Sequence, residues 1–234
     1  MLEYNQSNEL ISSEWFWMGL SFRVKSSQMI LYREMNNRYF RSITMSIEEI
    51  IKTRRAIFPK QMSGGKVPDE VIDKMLELAN WAPTHRHTEP WRFKVYSGDA
   101  MGRMLDFCKA CYVRDTPAEK FNSIKLEKIE ERKEQVSHIV AICMSRDEVL
   151  PEWEEIAATA MAVQNMWLYL GSTKKYGGYW STPGYALGED FSAFLHLPDG
   201  ERCLGLFYVG TIAESAISAD GRRGDWREKV KFEG

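Results

Sequence analysis

The sequence lacks the short motifs that mark many catalytic mechanisms. It contains no G-x-G-x-x-G after a strand pattern, no Walker loop, no H-E-x-x-H and no G-x-S-x-G. A mechanism based on a protein nucleophile or a bound metal therefore has no support in the residues. The remaining source of chemistry is a bound cofactor, for which the protein supplies placement and electrostatics.

Cysteine is scarce, with four residues in 234: Cys108, Cys111, Cys143 and Cys203. Such usage is typical of reduced intracellular thiols rather than a disulfide framework, so we expect a cytoplasmic location. Cys108 and Cys111 form a C-x-x-C, but no second pair and no histidine pair completes a tetrahedral zinc set. The sequence predicts no metal site.

Excess charge and long apolar runs are missing as well. Lysine and arginine number 31 against 33 acidic residues, and a net charge of −2 predicts neither a nucleic-acid partner nor an anionic membrane surface. No run approaches the roughly 20 apolar residues of a membrane span, and the first residues lack the order of a signal peptide. The length fits a single domain of ordinary size.

Residues 1–44 differ from the rest because aromatic, serine and arginine residues follow one another without a clean period. Recurrent arginines allow an organelle transit peptide, whereas several glutamates argue against it. We favour an extension upstream of a natural start at Met45, poorly ordered or outside the core. Residues 45–234 are then the folded domain.

Helical and strand patterns alternate from Ser46 onward. Ser46 with Glu49 resembles a capping box and starts a helix that ends near Arg54. A second helix opens at Pro68 and stops at Ala82 and Pro83. Its expected inward residues are Val71, Met75, Leu78 and Ala79.

Further helices are predicted over 101–112, 125–134 and 154–170, and strands over 91–96, 139–144, 177–180 and 203–209. In the strand 91–96, Trp91, Phe93 and Val95 alternate with polar residues and should face inward. Helix 154–170 is rich in alanine, which permits close helix packing, either within the core or at a subunit seam. The mixture indicates an α+β or α/β fold.

Two features point to a cofactor site. Arg54 and Arg55 adjoin at a helix end, and guanidinium forks match a phosphate or the pyrimidine edge of a flavin. The segment 82–93, with the sequence APTHRHTEPWRF, leads from an Ala-Pro turn through a polar loop into a Pro-Trp and a strand.

The order and spacing of these motifs resemble the nitroreductase family of flavoenzymes, and the resemblance covers Ser46 to the C-terminus. In the small, single-domain bacterial branch of this family, a Gly-Gly is followed by a short aromatic and polar stretch. The segment Gly177 to Thr182 resembles that stretch. Arg222-Arg223, followed by Trp226 and Val230, resembles the basic segment that closes over the FMN phosphate.

The resemblance implies an α+β fold with a mainly antiparallel sheet flanked by helices, and a homodimer with two FMN sites at its interface. One subunit would supply the phosphate, pyrimidine and ring-edge contacts, and its partner would reach the flavin through the segment around the polar loop. The implied residues of the first group are Arg54, Arg55, Ala56, Trp180, Ser181, Thr182, Arg222 and Arg223. Those of the second group are Trp81 and His85, and Ala56 replaces a serine of many relatives.

The implied activity is ping-pong hydride transfer from NAD(P)H through FMN to a small acceptor such as a nitroaromatic or a quinone, with no catalytic side chain assigned. Three alternatives stay open. The same fold could perform dehalogenation or enone reduction, it could serve as a non-catalytic FMN sensor, or the chain could be an interaction module without cofactor.

Overall fold

The computed structural model describes residues 45–216 and 221–234. Residues 1–44, expected to be an extension, lie outside the described part, so the domain boundary at Met45 stays a prediction. The described α-helices are α1 (Ile47–Thr53), α2 (Asp69–Ala79), α3 (Gly98–Asp115), α4 (Ser123–Gln135), α5 (Glu152–Thr173) and α6 (Glu189–Phe194). The strands are β1 (Trp91–Ser97), β2 (His138–Ser145), β3 (Tyr176–Ser181) and β4 (Glu201–Thr211).

The four strands form one sheet in the order β1-β2-β4-β3, and every neighbouring pair is antiparallel. This arrangement confirms the predicted α+β class with its antiparallel sheet. β2 lies in the interior of the sheet and is buried along nearly its whole length. Its continuous apolar run is explained by this position, because a strand covered on both faces has no solvent-facing side.

Helices cover both faces of the sheet. Ile139 and Ala141 of β2 belong to the core cluster that packs under α3. Val140 and Ile142, which point the other way, belong to the cluster shared with α2 and α5. The alternation of side chains along a strand therefore divides one apolar run between two separate layers.

The start of α1 is as predicted. Ser46 accepts a hydrogen bond from the backbone N–H of Glu49, and the Glu49 side chain accepts one from the N–H of Ser46, which completes the capping box. The helix ends at Thr53, and Arg54 takes an extended backbone conformation at its C-cap. The predicted helix end near Arg54 is confirmed.

Two predictions of detail were wrong. Helix α2 ends at Ala79 instead of continuing to Ala82, because the N–H groups of Asn80 and Trp81 turn back to earlier carbonyls in a tightened last turn. Val95 is exposed instead of inward, since β1 is an edge strand whose inner face is covered only near Trp91 and Phe93.

The alanine-rich helix α5 is a core helix of this chain. Ala158, Ala162 and Met166 are buried against α2 and the sheet. The small side chains allow this close approach, which was expected whether the helix packed in the core or at a subunit seam. Within residues 45–216 and 221–234, no helix is long and apolar enough to cross a membrane.

Candidate functional site

The candidate residues lie at the two ends of helix α5. Gly171, near its C-terminus, packs against Arg54, whereas Glu154, in its first turn, is hydrogen-bonded to His85. Seventeen residues separate Glu154 from Gly171, which is about 26 Å at about 1.5 Å per helical residue. One chain therefore presents two separate clusters of predicted residues.

Arg54 is held at the junction of α1, α5 and β3. Its guanidinium lies over the Trp167 ring, 4.8 Å from the ring centroid, a cation–π geometry. The Trp167 indole N–H donates to the Gly178 carbonyl at 2.9 Å, and the Ile57 N–H donates to the same carbonyl at 3.1 Å. These bonds fix the end of α1 against β3 and the C-terminal half of α5.

The Gly177-Gly178 pair is required by this junction. A Cβ on Gly177 would overlap the Ile57 side chain, and a Cβ on Gly178 would overlap the Phe207 ring. Glycine is the residue that permits such close approach. Packing at this junction therefore explains why both positions of the Gly-Gly motif are glycine.

Like charges accumulate beside this junction. Burial lowers the pKa of Arg54, and the neighbouring guanidinium groups of Arg223 and Arg55 lower it further. The Arg55 guanidinium donates to the carbonyls of Lys52 and Arg54 at 2.8 and 2.9 Å, and a Cβ on Gly221 would overlap it. Among the described residues, no carboxylate is within ion-pair distance of Arg54 or Arg223.

We define the arginine cluster as Arg54, Arg55 and Arg223. Arg54 and Arg55 line a cavity of about 410 Å³, and Arg223 lies outside its described lining but acts on the charge of Arg54. Lys174 adds another cation to its wall, while Trp167 and Leu170 supply apolar surface. The described lining contains no acidic side chain. Clustered guanidinium groups beside an aromatic ring fit a ligand that combines a phosphate with an apolar part.

The remaining residues of the first group lie farther along the chain or on its surface. Trp180 and Ser181 continue β3, and Thr182 is about 13 Å from Gly178 at about 3.3 Å per strand residue. The Trp180 indole donates to the Leu204 carbonyl at 3.4 Å. An elongated ligand lying along β3 would reach both places.

Neither Arg222 nor Ala56 belongs to the described lining of the cavity. Arg222 is exposed, and its carbonyl accepts a hydrogen bond from the Arg223 guanidinium at 2.7 Å. Ala56 is half-buried between Arg55 and Ile57 and is absent from the described cavity lining. The structure therefore favours Arg223 over Arg222 as the charge that faces Arg54.

The second cluster lies at the N-terminal end of α5. His85 Nδ1 is 2.5 Å from Glu154 Oε2, and Trp81, just after α2, is 77% exposed. A recess of about 360 Å³ lies between the polar loop and the helix, with His85, Trp153 and Met161 in its wall. The recess is open and its surface is mainly apolar.

Sequence reasoning missed several residues that the structure brings to these places. Trp167 and Gly171 come from the C-terminal part of α5, Lys174 is its C-cap, and Glu154 comes from its first turn. Their separation in the chain from Arg54 and His85 leaves no local spacing signal. The aromatic excess, with eight tryptophans, was the one compositional hint.

No metal centre is evident in residues 45–216 and 221–234, where no group of three or more His, Cys, Asp or Glu side chains could hold an ion. Cys108 and Cys111 are both buried on α3. Burial raises the pKa of the Cys108 thiol to about 12, so this thiol stays protonated and unreactive near neutral pH.

The fold and the arginine-lined cavity define an α+β protein that can hold an anionic cofactor. This chain belongs to the nitroreductase family, since the model of that family matches residues 51–211. Membership makes it an oxidoreductase. The Bacillus subtilis protein YfhC, which carries the name of an NAD(P)H nitroreductase, is 28% identical over 165 residues, which are 70% of this chain and 83% of the relative.

Solved structures agree in fold. A nitroreductase-like family protein from Bacillus cereus superimposes with a TM-score of 0.68 at 24% identity and covers 81% of this chain and 96% of its own. The FMN-dependent nitroreductase NfnB from Mycobacterium smegmatis, solved with NADPH, has a TM-score of 0.65 at 18% identity, with 80% and 97% covered. At these identities the two structures establish the shared fold.

Proposed function

We propose that the chain is an FMN-dependent oxidoreductase that carries hydride from NAD(P)H to a small flat acceptor, such as a nitroaromatic or a quinone, in a ping-pong cycle. The observation that carries this proposal is the arginine cluster beside Trp167 and Gly178. Partly buried guanidinium groups that repel one another are relieved by a bound phosphate. The named FMN and NADPH of NfnB support the same cofactors for this chain.

In this proposal, the role of the chain's own residues is to bind the cofactor and to orient it. Arg54, Arg55 and Arg223 hold the phosphate, and β3 from Gly178 to Thr182 runs beside the ring system. Bound FMN would supply the two-electron chemistry. Because one open site serves donor and acceptor in turn, both need only a flat face and access to the ring.

We further propose a homodimer in which the partner's His85 and Trp81 complete each site. About 26 Å of α5 separates these residues from the arginine cluster of the same chain. Large apolar side chains are also left uncovered within the chain, among them Trp81 at 77% exposed and Phe232 at 83% exposed. Exposed apolar surface of this kind is typical of a subunit interface.

The absorbance spectrum of the purified protein tests the proposal. We expect a yellow protein whose flavin bands bleach under anaerobic NADH or NADPH and return when menadione is added. Bound FMN that stays oxidised under both nicotinamides would favour the sensor alternative. A protein that takes up no FMN would refute the site, and a monomer at working concentration would refute the shared arrangement.

A further inference from the structure

The His85–Glu154 pair has a geometry that cofactor binding alone does not require. His85 Nδ1 is 2.5 Å from Glu154 Oε2, and the Glu154 side chain is largely buried. A carboxylate accepts hydrogen bonds, so Nδ1 carries the proton of this bond. Among the described residues, none is hydrogen-bonded to the other ring nitrogen, Nε2.

The loop that carries His85 has a strained backbone. Arg86, His87 and Glu89 have φ angles of 51°, 54° and 43°, in the left-handed region that non-glycine residues rarely adopt. Strain of this kind persists where the surroundings fix the conformation, and it is common at functional sites.

The Thr84 side chain holds the loop in this conformation through hydrogen bonds to other loop residues. Its hydroxyl accepts a hydrogen bond from the Glu89 N–H at 3.2 Å and is 3.1 Å from the Thr88 hydroxyl. The Thr88 N–H donates to the His85 carbonyl at 3.2 Å. The loop therefore holds the His85 ring against Glu154 at the cost of backbone strain.

The wall around the ring suits a flat apolar molecule. Trp153 and Met161 are exposed on the same recess, and Pro83 and Ala157 extend its apolar surface. His85 is the basic side chain of the described lining, and Glu154 is its acidic one. In the protonated ring both nitrogens are donors, so Nε2 has a proton to give while Nδ1 stays bonded to Glu154.

We propose that His85 donates a proton from Nε2 to the acceptor, which is a flat carbonyl compound of the quinone class, and that Glu154 is its positioning residue. The inference rests on the proposed function and its homodimer, because the acceptor takes its hydride from the cofactor held by the arginine cluster of the other subunit, not by the cluster about 26 Å away in the same chain. The hydride brings two electrons and one proton. The Nε2–H bond breaks, an O–H bond forms on the acceptor, and the quinone leaves as a hydroquinone.

The histidine returns to its starting state from solvent. After transfer His85 is a neutral imidazole, and its side chain is 54% exposed, so water can restore the proton. Glu154 holds the ring in one orientation through its bond to Nδ1. A general acid placed in this way contributes about 10²- to 10⁴-fold to the rate of proton transfer.

The experiment compares two oxidants of the FMN-loaded protein after reduction by dithionite under anaerobic conditions. Menadione must gain protons, whereas ferricyanide accepts electrons one at a time and takes no proton. The measured quantity is the ratio of the two reoxidation rates, so a change in flavin content cancels. Variants are His85→Gln and Glu154→Gln, with His87→Gln on the same loop as the matched control.

We expect the menadione-to-ferricyanide ratio to fall by about 100-fold in His85→Gln, the lower end of general-acid effects, and by less in Glu154→Gln. It should keep its wild-type value in His87→Gln. An unchanged ratio in His85→Gln overturns the inference, as does an equal slowing with both oxidants, which indicates a structural role.

A second readout does not depend on turnover. Nitrogen-15 spectra of the histidine rings show which nitrogen carries the proton, and His85→Gln assigns the signal among four histidines. We expect Nδ1 of neutral His85 to be protonated, and this preference to be lost in Glu154→Gln. A proton on Nε2 instead, or no change in Glu154→Gln, overturns the positioning role.

Failure of the two proposals can be told apart. If the wild-type flavin is reduced by NAD(P)H and reoxidised by menadione but the ratio does not respond to His85→Gln, the inference falls alone. If NAD(P)H does not reduce the flavin although dithionite does, the proposed function falls while the ratio still decides the role of His85. If no FMN binds, both fall.

Discussion

The two ends of helix α5 differ in how their charges are compensated. At the N-terminal end, Glu155 is buried and pairs with Arg146 at 2.6 Å, and Glu154 pairs with His85. At the C-terminal end, the guanidinium groups of Arg54 and Arg223 repel each other, and no carboxylate of the described residues is within ion-pair distance of either. Among the described residues the N-terminal end is complete, and the C-terminal end is incomplete because Arg54 and Arg223 face each other without a carboxylate.

The N-terminal end of α5 should therefore matter for folding stability, and the C-terminal end for ligand binding. The Arg146 guanidinium also donates to the Leu150 carbonyl at 2.6 Å, and the Asp147 N–H donates to Glu155 at 2.8 Å, so the loop before α5 is fixed in the folded chain. The repulsion between Arg54 and Arg223 costs electrostatic energy, which a bound anion would offset. We therefore expect substitutions at the two ends to affect different measurements.

The largest expected effect is at the complete end. Arg146→Met should lower the free energy of unfolding by about 3–5 kcal/mol, because it leaves the buried Glu155 carboxylate without its cation. Arg202→Met is the matched control, since Arg202 pairs with the exposed Glu152 and such a pair is worth at most about 1 kcal/mol. Urea unfolding of the apoprotein measures both, and equal losses would contradict the comparison.

At the incomplete end the expected effect is on binding. Arg54→Ala should weaken FMN affinity about ten- to a hundredfold, because a charge-assisted hydrogen bond is worth about 1.5–3 kcal/mol. Arg54→Lys should recover only part, since an ammonium lacks the bidentate fork. Titration of apoprotein with FMN measures the affinity. Unchanged affinity in Arg54→Ala would remove Arg54 from the site.

A smaller difference should separate the two neighbouring arginines near the C-terminus. Arg223→Ala should weaken FMN binding by about fivefold, near the upper limit for an exposed ion pair. Arg222→Ala should change it less, because of these two neighbours Arg223 is the one that acts on the charge of Arg54. The same titration at low and high salt checks the assignment, and a larger loss in Arg222→Ala would reverse it.

The smallest effect is expected from removing residues 1–44. Both ends of α5 are described by contacts among residues that follow Met45, and the first residues show no consistent period. A chain beginning at Met45 should keep its cooperative melt and its FMN affinity. Loss of either in calorimetry or titration would show that the first 44 residues belong to the folded domain.

Local patterns were sufficient where the physical cause is local. The capping box at Ser46 specified the start of α1, and the apolar run 139–144 specified a buried strand, because short-range hydrogen bonds and side-chain alternation decide both. The family resemblance, carried by Arg54-Arg55 and the segment 82–93, is confirmed by the family match. The cytoplasmic location rests on thiol usage alone and stays a prediction.

Tertiary structure decided what no local pattern encodes. Trp167 lies under Arg54, and Glu154 holds His85, although 113 and 69 residues separate the members of these pairs. Val95 is exposed because of its place at the sheet edge, which its alternating pattern does not reveal. Composition and periodicity determine which segments form helices and strands and which of their residues share a face. The meeting of distant side chains depends on strand order and helix length, which emerge only when the layers pack.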